Sequence, residues 1–147
     1  MRYMVYMRTE LYKLQKYGGT LHTPLFAKYS DDSNLNDTDL SSIMYGSSIL
    51  ASFALNESQN MSTIYLPDYK WIDLTTMDTF KGYMGDKLTI NVSYGIEDPV
   101  HLYQNGISTI VAFTEETNVT GTIEDLRNKP ISLSVSLEGF LGGYAAG

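Results

Sequence analysis

Residues 131–137 read Ile-Ser-Leu-Ser-Val-Ser-Leu. Ile131, Leu133, Val135 and Leu137 fall on one face and three serines on the other. That period of two belongs to a β-strand, whose successive side chains point to opposite faces. A strand this regular needs sheet partners, so the chain must supply a sheet. The same signature recurs upstream. In KLTINVSY (87–94), Leu88, Ile90, Val92 and Tyr94 alternate with Thr89, Asn91 and Ser93, giving one buried face and one wet face. STIYLP (62–67), KWIDL (70–74) and STIVAF (108–113) are short and rich in β-branched or aromatic residues. SIMYGSSILASFAL (42–55) is an apolar run broken at Gly46. Glycine-bearing turns at KGYMGD (81–86) and QNGI (104–107) separate strands at the spacing of an antiparallel β-sandwich.

Two segments depart from this pattern. Residues 3–17 predict a helix, with Met4, Met7, Leu11 and Leu14 at 3-4-3 spacing as its apolar stripe and Gly18-Gly19 as its stop. Burial against the protein's own core outweighs a partner-binding role for that stripe. Within TGTIEDLRNKP (120–130), Thr122 is placed to cap a short helical turn that Pro130 stops. Leu21–Asp32 reads as extended around Pro24, and the polar stretch 33–40 as loop.

YLPDYKWIDL (65–74) holds the chain's one tryptophan. The reading is a hairpin: Tyr65-Leu66 ends one strand, Pro67–Lys70 turns, and Trp71 opens the next. Trp71 and Asp73 then share a face, and Trp71 is expected to pack at the sandwich edge rather than on a sugar.

Composition narrows the function. At 147 residues the chain is one domain or two small ones. Seventeen acidic against ten basic residues give a net charge of −7, which disfavours nucleic acid and anionic membranes. With no cysteine, disulfides, thiolate catalysis and cysteine-ligated zinc are excluded. The N-terminal run, interrupted by Arg8 and Glu10, is neither a signal peptide nor a membrane span. Five N-x-Ser/Thr sequons, at Asn36, Asn56, Asn60, Asn91 and Asn118, tilt an otherwise open localisation toward a secretory, lysosomal or extracellular setting.

No constellation of reactive side chains emerges. His22 and His101 lie far apart in apolar contexts, without a partner at metal-ligand spacing, and read as structural. Asp31-Asp32 and Glu115-Glu116 are adjacent pairs that point apart and read as solvated. The glycines of GFLGGYAAG (139–147) lack the Lys-Ser/Thr of a phosphate loop. No catalytic, cofactor-binding or metal-binding residue is assigned, and no cofactor is implied.

The ordered landmarks carry more than any one motif. Arg2-Tyr3, a tyrosine-bearing helix, Gly18-Gly19 and HTPLFAKYSDD (22–32) are followed by IMYGSSILASFAL (43–55) and YLPDYKWIDL. DPVHLYQNGISTIVAF (98–113) and EDLRNKPISLSVSLEG (124–139) complete the series. In order and spacing it resembles the C-terminal portion of glycoside hydrolase family 31, the α-glucosidase-like enzymes, over nearly the whole chain. Departures mark a divergent member: Thr23 stands where the family has arginine, and Gln104-Asn105-Gly106 where it has Arg-Gly-Gly.

The resemblance implies a division into 1–40, the last helix and exit segment of a truncated (β/α)8 barrel; 41–113, a proximal β-sandwich; and 114–147, a linker and the first strand of an incomplete distal β-domain. It implies that the catalytic aspartates lie on barrel strands outside this chain. Retaining hydrolysis needs two carboxyl groups roughly 5 Å apart, and no residue here matches either. The expected role is scaffold in an enzyme that cleaves α-glucosides, meeting carbohydrate only through the missing barrel. Without the barrel, the apolar helix face is expected to self-associate. A free-standing β-sandwich that binds carbohydrate or protein is the alternative, and a tyrosine-rich structural or virion protein a third.

Overall fold

The computed structural model describes residues 2–35, 41–55, 60–67, 70–82, 88–95, 100–107, 109–114 and 129–137. Helix α1 runs Met4–Tyr17; the Gly18 N–H still bonds the Leu14 carbonyl at 2.8 Å, and the positive φ of Gly18 then turns the chain out of the helix. Strand β1 (His22–Pro24) leads into a single helical turn, α2 (Leu25–Lys28). The segment expected to be extended thus coils after Pro24, which places Leu25 in the core. Eight further strands form the body: β2 (Ser42–Tyr45), β3 (Ile49–Phe53), β4 (Met61–Leu66), β5 (Lys70–Asp73), β6 (Thr79–Lys81), β7 (Leu88–Ser93), β8 (Val100–Asn105) and β9 (Thr109–Thr114). Strand β10 (Ile131–Ser136) follows.

All pairings are antiparallel. A six-stranded sheet has the order β1-β2-β3-β8-β5-β6; β4 pairs with β7, and β9 with β10. The main core lies between the six-stranded sheet and β4–β7. Met44, Leu50, Trp71 and Tyr103 come from the first layer, Ile64, Leu66, Val92 and Tyr94 from the second, and Leu25 from α2. The alternation of β7 is realised, with Val92 and Tyr94 buried and Thr89, Asn91 and Ser93 exposed. The opposite face of the large sheet packs on α1 through Tyr6, Ile49 and Leu74, joined by Val111 of β9. β3 is therefore covered on both sides, and Ile49, Leu50, Ala51 and Ser52 are all buried. The fold is an antiparallel β-sandwich preceded by a helix.

Further expectations change. The strands around Pro67 do not form a hairpin. β4 belongs to the small sheet and β5 to the large one, so the chain crosses between layers there. Trp71 consequently lies in the centre of the core, wholly buried, and not at an edge. Its indole N–H donates to the Pro67 carbonyl, the polar partner a buried tryptophan requires. Trp71 and Asp73 do share the buried face.

The helix stripe is also displaced. Tyr6 and Glu10 are buried, Met4, Met7 and Leu14 are half-buried, and Leu11 is exposed. Finally, β10 forms as expected, but its serine side faces inward and its aliphatic side faces solvent. The capped turn at 122–126, the Glu115-Glu116 pair, the glycine-rich 139–147 and Asn36, Asn56 and Asn118 lie outside the described residues.

Candidate functional surfaces

The junction between α1 and the β2–β3 turn is a densely bonded polar site. Tyr6 and Glu10 sit one helical turn apart, so both tips reach the same turn. The Tyr6 hydroxyl donates to the Tyr45 carbonyl at 2.8 Å and accepts the Ser48 N–H at 3.0 Å. Glu10 Oε2 accepts the Ser47 N–H at 3.0 Å, and Lys13 Nζ reaches Glu10 Oε1 at 2.5 Å. Tyr3, on the same side, donates to the Leu74 carbonyl at 3.1 Å. Burial pushes the Tyr6 and Tyr3 phenols above their ordinary range.

Asp73 is the other buried carboxylate. Its Oδ1 accepts the N–H groups of Thr75 (2.7 Å) and Thr76 (3.1 Å) and so shapes the turn after β5. On the same face, burial raises the Tyr103 phenol, with Asp73 and Tyr94 adding to the effect. Among the described residues, both buried carboxylates thus hold main-chain N–H groups of turns. Sequence inspection missed both. The available signal was positional: Glu10 follows Tyr6 by four residues on the packed side of α1, and Asp73 follows Trp71 by two on the same face of β5.

The residues weighed for chemistry stay apart. His22 is exposed and stands edge-on to Tyr45, with ring centres 4.3 Å apart. His101 Nε2 lies 2.9 Å from the Ser93 carbonyl, and its ring meets Tyr94 at 5.4 Å. Asp31 is exposed as expected, but Asp32 is half-buried and not merely solvated. Its carboxylate accepts the Tyr65 hydroxyl and the Asn34 N–H (2.9 Å), tying the loop after α2 to β4. Among the described residues, no group of three or more His, Asp or Glu could hold a metal ion. No helix among them is long and apolar enough to cross a membrane.

An open groove offers room for a partner. About 370 Å³ of space lies between the start of α1 and the outer face of β2, β3 and β8. Its lining is almost wholly apolar, with Met7, Tyr45, Phe53, Val100 and Leu102 among the walls and Arg2 at one end. The Arg2 guanidinium stacks 4.7 Å from the Phe113 ring centre. Such a groove can bury apolar surface but offers no carboxylate for hydrolysis.

Solved structures share this fold. A dextranase from Flavobacterium johnsoniae aligns over 94% of the chain at 16% identity and a TM-score of 0.68. An α-xylosidase from Xanthomonas citri aligns over 91% at 15% identity and a TM-score of 0.72. A sulfoquinovosidase from E. rectale aligns over 68% at 23% identity and a TM-score of 0.55. The chain covers 16%, 14% and 14% of those proteins, a small part of each. No curated protein sequence matches it. The family model described as the glycosyl hydrolase family 31 C-terminal domain matches residues 18–108, from the stop of α1 to the loop before β9. With well over half of its length inside that match, the chain belongs to glycoside hydrolase family 31, as its C-terminal β-sandwich domain.

Proposed function

We propose that this chain serves as the C-terminal scaffold of a family 31 hydrolase that cleaves α-linked glucosides by double displacement. The observation that carries the reading is the family match over 18–108 in a chain that spans 16% or less of the solved enzymes sharing its fold. The two buried carboxylates, Glu10 and Asp73, are engaged by turn N–H groups, which supports a structural role. In this reading residues 1–40 are the last helix and exit segment of a (β/α)8 barrel. Residues 41–113 are the proximal sandwich that buttresses it, and 114–147 open a distal β-domain. The apolar groove beside Arg2 is where barrel surface would pack. The aspartates of the reaction come from the barrel, and this domain holds the barrel wall in place.

Asn60 and Asn91 are exposed on the β4–β7 side, and in a secreted parent they would be acceptors for N-linked glycans. The alternative, a free-standing β-sandwich that binds carbohydrate or protein, requires for a sugar ligand an exposed Trp71 whose fluorescence responds to oligosaccharide. A wholly buried Trp71 supplies no stacking platform.

The test compares two proteins. A full-length parent carrying this domain should release glucose from maltose or a nitrophenyl α-glucoside, and the 147-residue chain alone should not. Turnover by the isolated chain would sink the scaffold reading.

A further inference from the structure

The outer face of β4–β7 is polar and open. Register sets Met61 opposite Ser93, Thr63 opposite Asn91 and Tyr65 opposite Thr89. Met61, Thr63, Thr89, Asn91 and Ser93 are exposed, and Tyr65 is half-buried. Ile64, Leu66, Val92 and Tyr94 point the other way, into the core. A group added at Asn91 therefore grows into solvent and disturbs no core packing. Neither strand contains Asp, Glu, Lys or Arg, although the chain carries a net charge of −7. A face of hydroxyls and a carboxamide is at home in water and needs no second layer to cover it.

Asn91-Val92-Ser93 is a sequon set in the middle of this face. The Thr63 hydroxyl donates to Asn91 Oδ1 at 2.7 Å. The planar amide thus turns its oxygen toward β4, and no described residue bonds its nitrogen, the atom on which a glycan is built. Asn60 is placed differently. It precedes β4 in step with the inward-facing Ser62 and Ile64, and its carbonyl accepts the Tyr94 N–H at 2.9 Å. One residue of the outer face is out of keeping with water. Met61, diagonal to Asn91 across the two strands, is 65% exposed. Diagonal neighbours stand about 7–8 Å apart, within the span of a first sugar on Asn91.

We propose that Asn91 carries an N-linked glycan whose first N-acetylglucosamine lies on the outer β4–β7 face and covers Met61. The donor is a lipid-diphosphate-linked oligosaccharide. Asn91 Nδ2 loses a proton and bonds to C1 of the sugar, and the bond from C1 to the diphosphate oxygen breaks, with the lipid diphosphate taking the electron pair. This deepens the scaffold reading, on which it rests in giving the side of the sandwich away from α1 to solvent. Glycan occupancy and turnover by a parent enzyme are read separately, so either fails without the other.

The test expresses the 147-residue chain behind a cleavable leader in cultured animal cells. Peptide N-glycosidase in heavy-oxygen water marks each occupied asparagine, and mass spectrometry of the total chain, retained or secreted, reads the mark at Asn91. Asn91 should be marked in the wild-type chain and unmarked in Ser93→Ala, whose sequon lacks its hydroxyl. The glycosylated chain should melt about 2–4 °C above Asn91→Gln. Met61→Ser should leave the mark in place and remove most of that difference. Trp71 emission from a buried site checks that each variant folds, and Ser93→Ala replaces Asn91→Gln in the melting comparison if the latter does not. An unmarked Asn91, equal melting of the two forms, or a difference that survives Met61→Ser overturns the proposal.

Discussion

Gly46 stands where the β2–β3 turn meets α1. Its φ is +60°, and a Cβ there would lie 2.5 Å from Cγ and Oε2 of Glu10. Both facts exclude a side chain, so Gly46→Ala should cost about 2 kcal/mol or more in urea denaturation. Gly106 is crowded without being strained: its φ is ordinary, but a Cβ would meet the near end of Lys70, Cγ at 2.4 Å and Cβ at 2.9 Å, beside the bond from the Gly106 N–H to the Lys70 carbonyl at 2.8 Å. Gly106→Ala must part those two segments, and urea denaturation should show a cost of about 1–3 kcal/mol. Tyr103 gives a pH signature. Its folded pKa is raised, chiefly by burial, so the fold favours the protonated phenol. That contribution is complete below the ordinary tyrosine value of about 10 and is lost as pH rises toward the folded value. Tyr3 and Tyr6 have the same sign. The urea midpoint should fall between about pH 8 and about pH 11, and less steeply in Tyr103→Phe, whose hydroxyl no longer ionises.

At the scale of elements, α1 shows what a sequence conceals. Its existence and its stop at Gly18 were legible, because propensity and glycine act locally. Its buried side was not, because counting apolar residues favoured Met4, Met7, Leu11 and Leu14 over a tyrosine and a glutamate. Tyr6 packs its ring on Ile49, Leu74 and Val111 while its hydroxyl joins the β2–β3 turn, and an apolarity count has no category for that combination. Tyr6→Phe keeps the ring but leaves the buried Ser48 N–H without its acceptor, so it should cost about 1–3 kcal/mol. Leu11→Ser, on the stripe the spacing favoured, should stay within about 0.5 kcal/mol, as exposed sites do. Thermal or urea unfolding of the two variants ranks them, and the reverse order would mean that α1 is rotated on the sheet. β10 was legible as a strand by the same period-two rule, yet its orientation was not. Two hydroxyl bonds and a side-chain amide draw its serine side inward, and those partners, Lys70 of β5, Gln104 of β8 and Gly106 just after it, are distant in sequence.

For the whole molecule, the antiparallel sandwich was legible because alternation and turn spacing repeat along the chain, and the family because its landmarks keep their order. Which strands pair was not legible. β3 meets β8, with Ile49 opposite Gln104, and β4 meets β7, with Ile64 opposite Ile90. Pairings between such distant residues depend on the global arrangement of layers, and local turn chemistry at Pro67 suggested a hairpin instead. The same non-locality sets how far the domain extends. The family match begins at residue 18, just past α1. Yet α1 contributes Tyr6 to the second core cluster, with Tyr3 and Met7 packed against it, and without the helix the cluster of Ile49, Leu74 and Val111 faces water. The clamp on the β2–β3 turn goes with it. Losing a buried aromatic alone typically costs about 3–5 kcal/mol, a large part of the roughly 5–15 kcal/mol by which small domains are stable. A chain starting at Gly18 should therefore bind a hydrophobic dye and lose its cooperative thermal transition, while the 147-residue chain keeps one. Equal cooperativity in the two would mean that α1 merely rests on the sheet and that the domain ends where the family match does.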